Sequence, residues 1–218
     1  MGNNREVASI SKATIGRMPA YLRYLQEQEK AGEKTISSTQ IAEELGLNAV
    51  QVRKDLAVIS TVAGKPKLGF EIGELIADIN RILGYDNVTD AVLVGAGGLG
   101  RALVGYEGFK NYGLNIVAAF DAAAELIGRE IGGVRIYGAE EIVPMVKRLN
   151  VRIGIITVPQ GEAQRVADAL IEGGVRAIWN FAPANLVLPS NVAVKNEDMA
   201  ASLAILSMRL AEILNNEK

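Results

Sequence analysis

The chain has 218 residues, 49 % of them apolar, with neither cysteine nor histidine; that leaves material for one large or two small domains and a full core, excludes disulfides and thiol chemistry, and argues against a transition-metal site. Its net charge of −2 is uneven, with 10 Lys and Arg against 7 acids in residues 1–70 and 13 against 18 in the remainder, so the front end tolerates nucleic acid. No apolar run reaches the roughly 18 residues of a membrane span, and Met1-Gly2-Asn3-Asn4-Arg5-Glu6 lacks the apolar stretch of a signal peptide, which predicts a cytoplasmic protein.

Residues 1–15 are polar and are expected to be partly ordered at most. Pro19 suits the first turn of a helix, where a missing N–H costs nothing. Ala20, Tyr21, Leu22, Tyr24 and Leu25 then predict an amphipathic helix to about Ala31, stopped by Gly32. Ser37 and Gln40 have capping-box spacing ahead of Ile41, Ala42 and Leu45, and Gly46 ends that short helix. Asn48 caps a second helix, 49 to about 59, in which Gln51 repeats the capping-box spacing. Short helix, glycine turn, second helix is the helix-turn-helix pattern, although it is also ordinary small-domain architecture. Gln51, Arg53 and Lys54 lie in the first turns of the second helix, where side chains reach bases and phosphates from the major groove. Gly64-Lys65-Pro66-Lys67-Leu68-Gly69 reads as a basic turn able to serve as a wing. Residues 71–83 predict a linking helix with Ile72, Leu75, Ile76, Ile79, Ile82 and Leu83 inward, closed by Gly84.

Residues 89–121 organise the rest. The apolar run Ala91-Val92-Leu93-Val94 leads into Gly95-Ala96-Gly97-Gly98-Leu99-Gly100, then a helix-permissive run from Arg101, then the second strand Asn115-Ile116-Val117-Ala118-Ala119-Phe120 ending on Asp121. Each part has a mechanical use in dinucleotide binding. Gly95 permits the tight turn, Gly97 lets the backbone approach a pyrophosphate, and Gly100 lets helix and strand pack. The helix opening near Gly98 and Leu99 points unpaired N–H groups at the phosphates. Asp121 stands where a carboxylate accepts from the adenosine ribose. It would repel a 2′-phosphate, and Ala122-Ala123-Ala124 supplies no arginine, so NAD(H) is favoured over NADP(H).

Downstream, residues 128–133 read as a loop, Val134-Arg135-Ile136-Tyr137 as a strand, and 139–149 as a helix that Pro144 kinks or starts late. Strands at 153–158, 177–180 and 192–194 alternate with a helix over 161–172. The fold class expected is α/β, a doubly wound parallel sheet of Rossmann type behind an N-terminal winged helix-turn-helix. Ligands collect at the carboxyl ends of such strands, which adds Thr157, Val158 and Pro159, and then Asn180, Phe181 and Ala182, to the candidate nucleotide site. Residues 197–215 form a helix with apolar side chains on nearly its whole circumference. Such a helix must be buried, either against a partner subunit or on its own sheet. The domains expected are 1–84, 85–196 and 197–218. Tyr106 and Lys110 have the Tyr-x-x-x-Lys spacing of short-chain reductases but sit at the end of the first Rossmann helix, where Gly105 and Gly108 interrupt it. No catalytic set is expected.

This arrangement resembles the Rex family of redox-sensing transcriptional repressors. The resemblance rests on Ala13-Thr14-Ile15-Gly16-Arg17, Tyr21-Leu22-Arg23-Tyr24-Leu25, Gln51-Val52-Arg53-Lys54-Asp55-Leu56, the turn 95–100, Val117-Ala118-Ala119-Phe120-Asp121, Asn180-Phe181-Ala182-Pro183 and residues 196–210. It implies a homodimer whose winged helices bind a pseudo-palindromic operator while NAD⁺ prevails and release it when NADH closes the subunits. It also implies a swapped terminal helix whose start, with Asp198 and Met199, lies near the partner's nicotinamide pocket. Arg23, Tyr106 and Asp198 match positions that exchange partners with redox state. The candidate DNA-contacting set is then Arg17, Ser37, Ser38, Asn48, Gln51, Arg53, Lys54, Lys65 and Lys67. The chain departs from the family in having Gly98 within the glycine turn, Met199 in place of an aromatic residue, and residues 57–67 in place of an aromatic, glycine-rich wing. The alternative from another class is a small NAD-dependent oxidoreductase with an N-terminal dimerisation domain.

Overall fold

A computed structural model describes residues 10–62, 64, 69–85 and 89–216. The chain divides into two compact units, 1–87 and 88–218.

In the first unit, α1 runs Lys12–Lys30, with Ser11 as its cap accepting from the Thr14 amide at 3.1 Å. The helix therefore starts seven residues before Pro19, which lies inside it. A proline in a helix interior costs about 3 kcal/mol. The buried stripe Thr14, Met18, Tyr21, Leu22 and Leu25 offsets this, since each large apolar side chain contributes about 1.5–3 kcal/mol. The chain continues through β1 (Thr35–Ile36), α2 (Ser38–Glu44), α3 (Ala49–Ile59), β2 (Phe70–Glu71) and α4 (Ile72–Leu83). The two short strands pair antiparallel, Ile36 opposite Phe70. At Gly69, φ is +80° and a Cβ would lie 2.2 Å from the Ile36 carbonyl oxygen, so only glycine fits beside this ribbon. Strands of two residues carry no readable alternation, and the sequence did not predict them. Asp78 of α4 accepts from the Thr61 amide at 2.7 Å and from Arg81, which ties the end of α3 to α4.

The second unit is a doubly wound sheet. Its strands are β3 (Thr89–Val94), β4 (Leu114–Asp121), β5 (Glu130–Ile131), β6 (Val134–Gly138), β7 (Ile153–Ile156), β8 (Ala177–Asn180) and β9 (Ala193–Asn196). Their spatial order among the described residues is β5-β6-β4-β3-β7-β8-β9, parallel throughout except for the β5–β6 hairpin. Residues 128–133, expected to be a plain loop, thus contain an edge strand, turned by Gly132 and Gly133 at positive φ. Helices α5 (Gly98–Val104), α6 (Ile142–Leu149) and α7 (Gln160–Gly173) cover the sheet. Val92 and Val94 pack with Phe120, Val146 and Leu170 in one cluster, while Ala91 and Leu93 pack with Ile116, Ala119 and Ile155 in another. Covering both faces is why residues 91–94 read as an unbroken apolar run rather than an alternation. Pro144 resolves as a late start: a 3-10 turn occupies Ala139–Glu141, and the proline falls in the first turn of α6.

The last helix, α8 (Met199–Asn216), buries none of its residues within the chain. Met199, Leu203, Ile205, Leu206, Met208, Leu210, Ile213 and Leu214 are 50–64 % exposed, so packing on its own sheet is ruled out for this helix. No described helix is long and apolar enough to cross a membrane.

Candidate functional site

The strand order reverses on either side of β3, with β4 and β7 as its neighbours. A crevice opens there, at the carboxyl ends of the strands. It has a volume of about 480 Å³ and is lined by Gly95, Gly97, Asp121, Ala122, Thr157, Val158 and Pro159 among others. Gly95 has φ of +105°, and a Cβ on it would lie 2.8 Å from the Thr157 backbone. The Thr157 hydroxyl donates to the Val94 and Gly95 carbonyls at 3.0 and 2.7 Å, closing the turn against β7. A Cβ at Gly100 would lie 1.9 Å from the Gly95 carbonyl oxygen. At Gly97 and Gly98, by contrast, a Cβ would meet nothing within 4 Å. Gly95 and Gly100 are therefore required by the fold, whereas no described atom demands glycine at 97 or 98. Leu99, between them in the first turn of α5, is exposed.

Asp121 accepts from the Ala96 amide at 2.6 Å and from the Ala123 amide at 2.8 Å. These bonds hold the carboxylate at the mouth of the crevice with lone pairs to spare, since a carboxylate has about four acceptor sites. Arg101 holds the other side of the turn, its Nε donating to the Ala96 carbonyl at 3.0 Å. The open glycines, the helix start and the carboxylate fit a dinucleotide bound across the turn.

Three predicted residues lie elsewhere. Asn180 is 0 % exposed, and its amide is spent on the chain: Nδ2 donates to the Ala182 and Ala184 carbonyls and to Asn196, while Oδ1 accepts from the Ala182 amide. Phe181 packs against Trp179 with ring centres 4.9 Å apart and the planes tilted by 46°, and Ala182 is buried. None of the three lines the crevice. All three stand at the carboxyl end of β8 or just beyond it, and the Asn180 side chain holds the loop that follows. Sequence reasoning missed Ala139, Glu162 and Arg165, which do line it. The last two form an ion pair at 2.5 Å in the opening turns of α7, directly after Pro159, and that position was the available signal.

Tyr106 is 54 % exposed and meets Phe109 edge-on at 4.9 Å, away from the crevice. Asp198 caps α8, its Oδ1 accepting from the Ala201 amide at 2.9 Å, and Met199 follows it in the open. Arg23 is exposed on α1 of the first unit.

In the first unit, α2 and α3 pack together around a turn in which Gly46 has φ of +62°. Ser37 and Gln40 form the expected reciprocal cap. Asn48 caps α3 by accepting from the Val50 and Gln51 amides, and Ser38 is half-buried in the first turn of α2. Gln51 does not complete a second capping box; its Nε2 donates to Asp55 at 3.0 Å. Gln51, Arg53 and Lys54 are all exposed in the first turns of α3. Lys65 and Lys67 lie outside the described residues. Arg17 is not available as a free cation. Its Nε and Nη2 grip Asp55 at 2.6 and 2.8 Å, and its side chain is 24 % exposed.

Asp55 is the residue that sequence reasoning passed over. It is 2 % exposed and takes hydrogen bonds from Thr14, Arg17 and Tyr21 of α1 and from Gln51 of its own helix. The signal was an acid on the apolar stripe Val52, Leu56 and Ile59. Burial pushes its carboxyl up, but the bonds from Arg17, Tyr21, Gln51 and Thr14 prevail and hold it down at about 2. Tyr21 is pushed up to about 12 by burial and by its bond to Asp55, and Asp55 raises Arg17 further above its ordinary value.

Comparisons with known proteins agree with both units. Residues 9–57 match the family described as putative DNA-binding protein N-terminus, and residues 86–184 match the CoA binding domain family. The redox-sensing transcriptional repressor Rex of Clostridium beijerinckii is 44 % identical over 94 % of this chain and 96 % of its own. The crystal structure of RSP in complex with beta-NAD⁺ and operator DNA aligns with a TM-score of 0.87 at 36 % identity, covering 95 % of each chain. RSP in complex with beta-NADH aligns with a TM-score of 0.83 at 35 % identity, over 96 % of this chain and 99 % of that one. An N-terminal helix-turn-helix, a Rossmann sheet with an open glycine turn, and relatives of this identity over nearly the full length place this chain in the Rex family of redox-sensing transcriptional repressors.

Proposed function

We propose that this protein represses transcription by binding operator DNA as a homodimer, and that NADH binding releases it. The observation that carries this is the match, over 95 % of each chain, to a repressor solved with both beta-NAD⁺ and operator DNA. NAD(H) is then an effector that biases two states and not a substrate. In this reading residues 1–84 hold DNA, 85–196 hold the dinucleotide, and 197–218 form a helix exchanged between subunits. The protein works in the cytoplasm.

The roles follow from chemistry. The N–H groups at the start of α5 face the pyrophosphate over Gly97 and Gly98. Asp121 accepts from the adenosine ribose, and its charge disfavours a 2′-phosphate. Gln51, Arg53 and Lys54 enter the major groove, with Ser37, Ser38, Asn48, Lys65 and Lys67 toward the backbone. NAD⁺ and NADH differ by one positive charge at the nicotinamide, and Asp198 with Tyr106 and Arg23 responds to that difference. Selection from a pool of random duplexes tests this reading: a palindromic site should be enriched with NAD⁺ and lost with NADH. A site retained equally with NADH, or no site at all, would contradict it.

The exchanged helix makes its own prediction. The apolar surface of α8 is unburied within the chain, and a partner subunit covers it. Leu206→Asp should convert the dimer to monomer in sedimentation, since burying one unpaired carboxylate costs several kcal/mol. A dimer of unchanged affinity would exclude α8 from the interface.

A further inference from the structure

The buried Asp55 cluster has a consequence for how DNA is read, and it rests on the repressor reading above. Its carboxylate is fully engaged: Oδ1 accepts from Thr14, Arg17 and Gln51, and Oδ2 accepts from Arg17 and Tyr21. Thr14, Arg17 and Tyr21 hold it from α1, and Gln51 leans on it from one turn earlier in α3. Gln51 is itself exposed, in the first turns of the helix that carries Arg53 and Lys54.

A glutamine amide ordinarily presents two faces. Its Oε1 accepts and its Nε2 donates, and rotation by half a turn exchanges them. Here Asp55 selects one of the two orientations. An ionised carboxylate only accepts, so Gln51 must keep Nε2 toward Asp55, and the reverse orientation would set Oε1 against a buried negative charge. What remains for a partner is fixed: one Nε2–H and the lone pairs of Oε1, side by side. That is the complement of the adenine major-groove edge, which offers N7 as acceptor and N6–H as donor. It is the wrong pattern for guanine, whose O6 and N7 both accept.

We infer that Asp55 is a positioning residue for base recognition: it locks the Gln51 amide so that Gln51 reads adenine in an A·T pair of each operator half-site. Asp55 touches no DNA in this scheme and acts only through Gln51.

The test compares wild type, Gln51→Ala, Asp55→Asn, the double variant and Arg17→Lys. Each is titrated with the selected operator and with operators substituted one base pair at a time, at a temperature where circular dichroism shows all of them folded. Wild type should prefer adenine at one position per half-site by about tenfold or more, as one bidentate pair allows. Gln51→Ala and Asp55→Asn should both lose that preference at that position alone, and the double variant should lose no more. Arg17→Lys weakens the cluster but leaves the Gln51–Asp55 bond, so it should keep the preference. If Asp55→Asn lowers affinity for every duplex alike with the preference intact, the residue is merely structural and the inference falls. A second readout needs no variant: in the DNA-free protein, one Gln51 side-chain N–H should be protected from solvent exchange and its partner should exchange freely. Equal, rapid exchange of both would overturn the inference even if an operator is found. A wild-type protein that selects no duplex would instead overturn the repressor reading, and this inference with it.

Discussion

Gly100→Ala is expected to destabilise the nucleotide unit, whereas Gly97→Ala is expected to leave the ligand-free protein intact and weaken its affinity for NADH. The two changes add the same methyl group three residues apart, and the difference lies in what that methyl meets. At Gly100 it lands 1.9 Å from the Gly95 carbonyl oxygen, a backbone atom locked in the turn by Thr157. Either α5 moves off the sheet or the turn opens. Overpacking of that kind costs about 3 kcal/mol or more, on the order of 10 °C in Tm for a unit of this size. At Gly97 the backbone has φ of −72°, which alanine adopts without strain, and nothing lies within 4 Å of the added atom. Its Tm should be unchanged or slightly raised, because alanine restricts the unfolded chain. The same methyl would project into the space over the turn that a pyrophosphate needs, so NADH should bind about tenfold more weakly or worse, a change on the order of 1.4 kcal/mol. Calorimetric melting and NADH titration of the two variants check both halves. A Gly97→Ala protein with full NADH affinity would move the pyrophosphate away from this turn.

Asp55→Ala is expected to destabilise the first unit strongly and weaken operator binding without touching the dinucleotide crevice. Removing the carboxylate strands the Arg17 guanidinium and leaves the Tyr21 hydroxyl buried without its acceptor. Breaking a buried ion pair by deleting one partner costs about 3–5 kcal/mol, a large part of the 5–15 kcal/mol that holds a typical domain together. The same cluster sets the pH limits of this unit. The Asp55 carboxyl lies at about 2, below its ordinary 3.8. Its contribution is therefore complete above the ordinary value and is lost as pH falls from 3.8 toward 2. The Tyr21 hydroxyl lies at about 12, above its ordinary 10.0, so stability is lost on the alkaline side as pH rises from 10 to 12. Thermal melts followed across pH should show both limbs in wild type. The acid limb should flatten in Asp55→Ala, and an unchanged acid limb would show that this carboxylate does not govern it.

The nucleotide unit was legible because its requirements are local. A strand buried on both faces writes itself as an apolar run, and a turn that must approach a helix and a strand writes itself as glycines. An acid at the end of the next strand completes the pattern. The exposed apolar surface of α8 was legible for the same reason, since nearly every turn of that helix carries apolar residues. What escaped depends on partners distant in sequence. Arg17 looks like a solvent-facing cation until α3 brings Asp55 to it, 38 positions away. The Asn180 amide looks free at the end of its strand until Asn196 and the Ala182 and Ala184 carbonyls claim it. Helix α1 starts seven residues before Pro19 because the cap at Ser11 and the buried stripe beyond it outweigh the proline.

For NADH to release the repressor, NADH and operator DNA must select different states of one protein. A ligand shifts such an equilibrium only by its difference in affinity between the states, and the linkage is reciprocal. The most direct test is therefore the dissociation constant of NADH, read from its own fluorescence, for the free dimer and for the dimer saturated with operator. NADH should bind the operator complex more weakly, by about tenfold or more for a coupling of 1–3 kcal/mol, and NAD⁺ should show little change. Equal NADH affinity with and without operator would contradict the account.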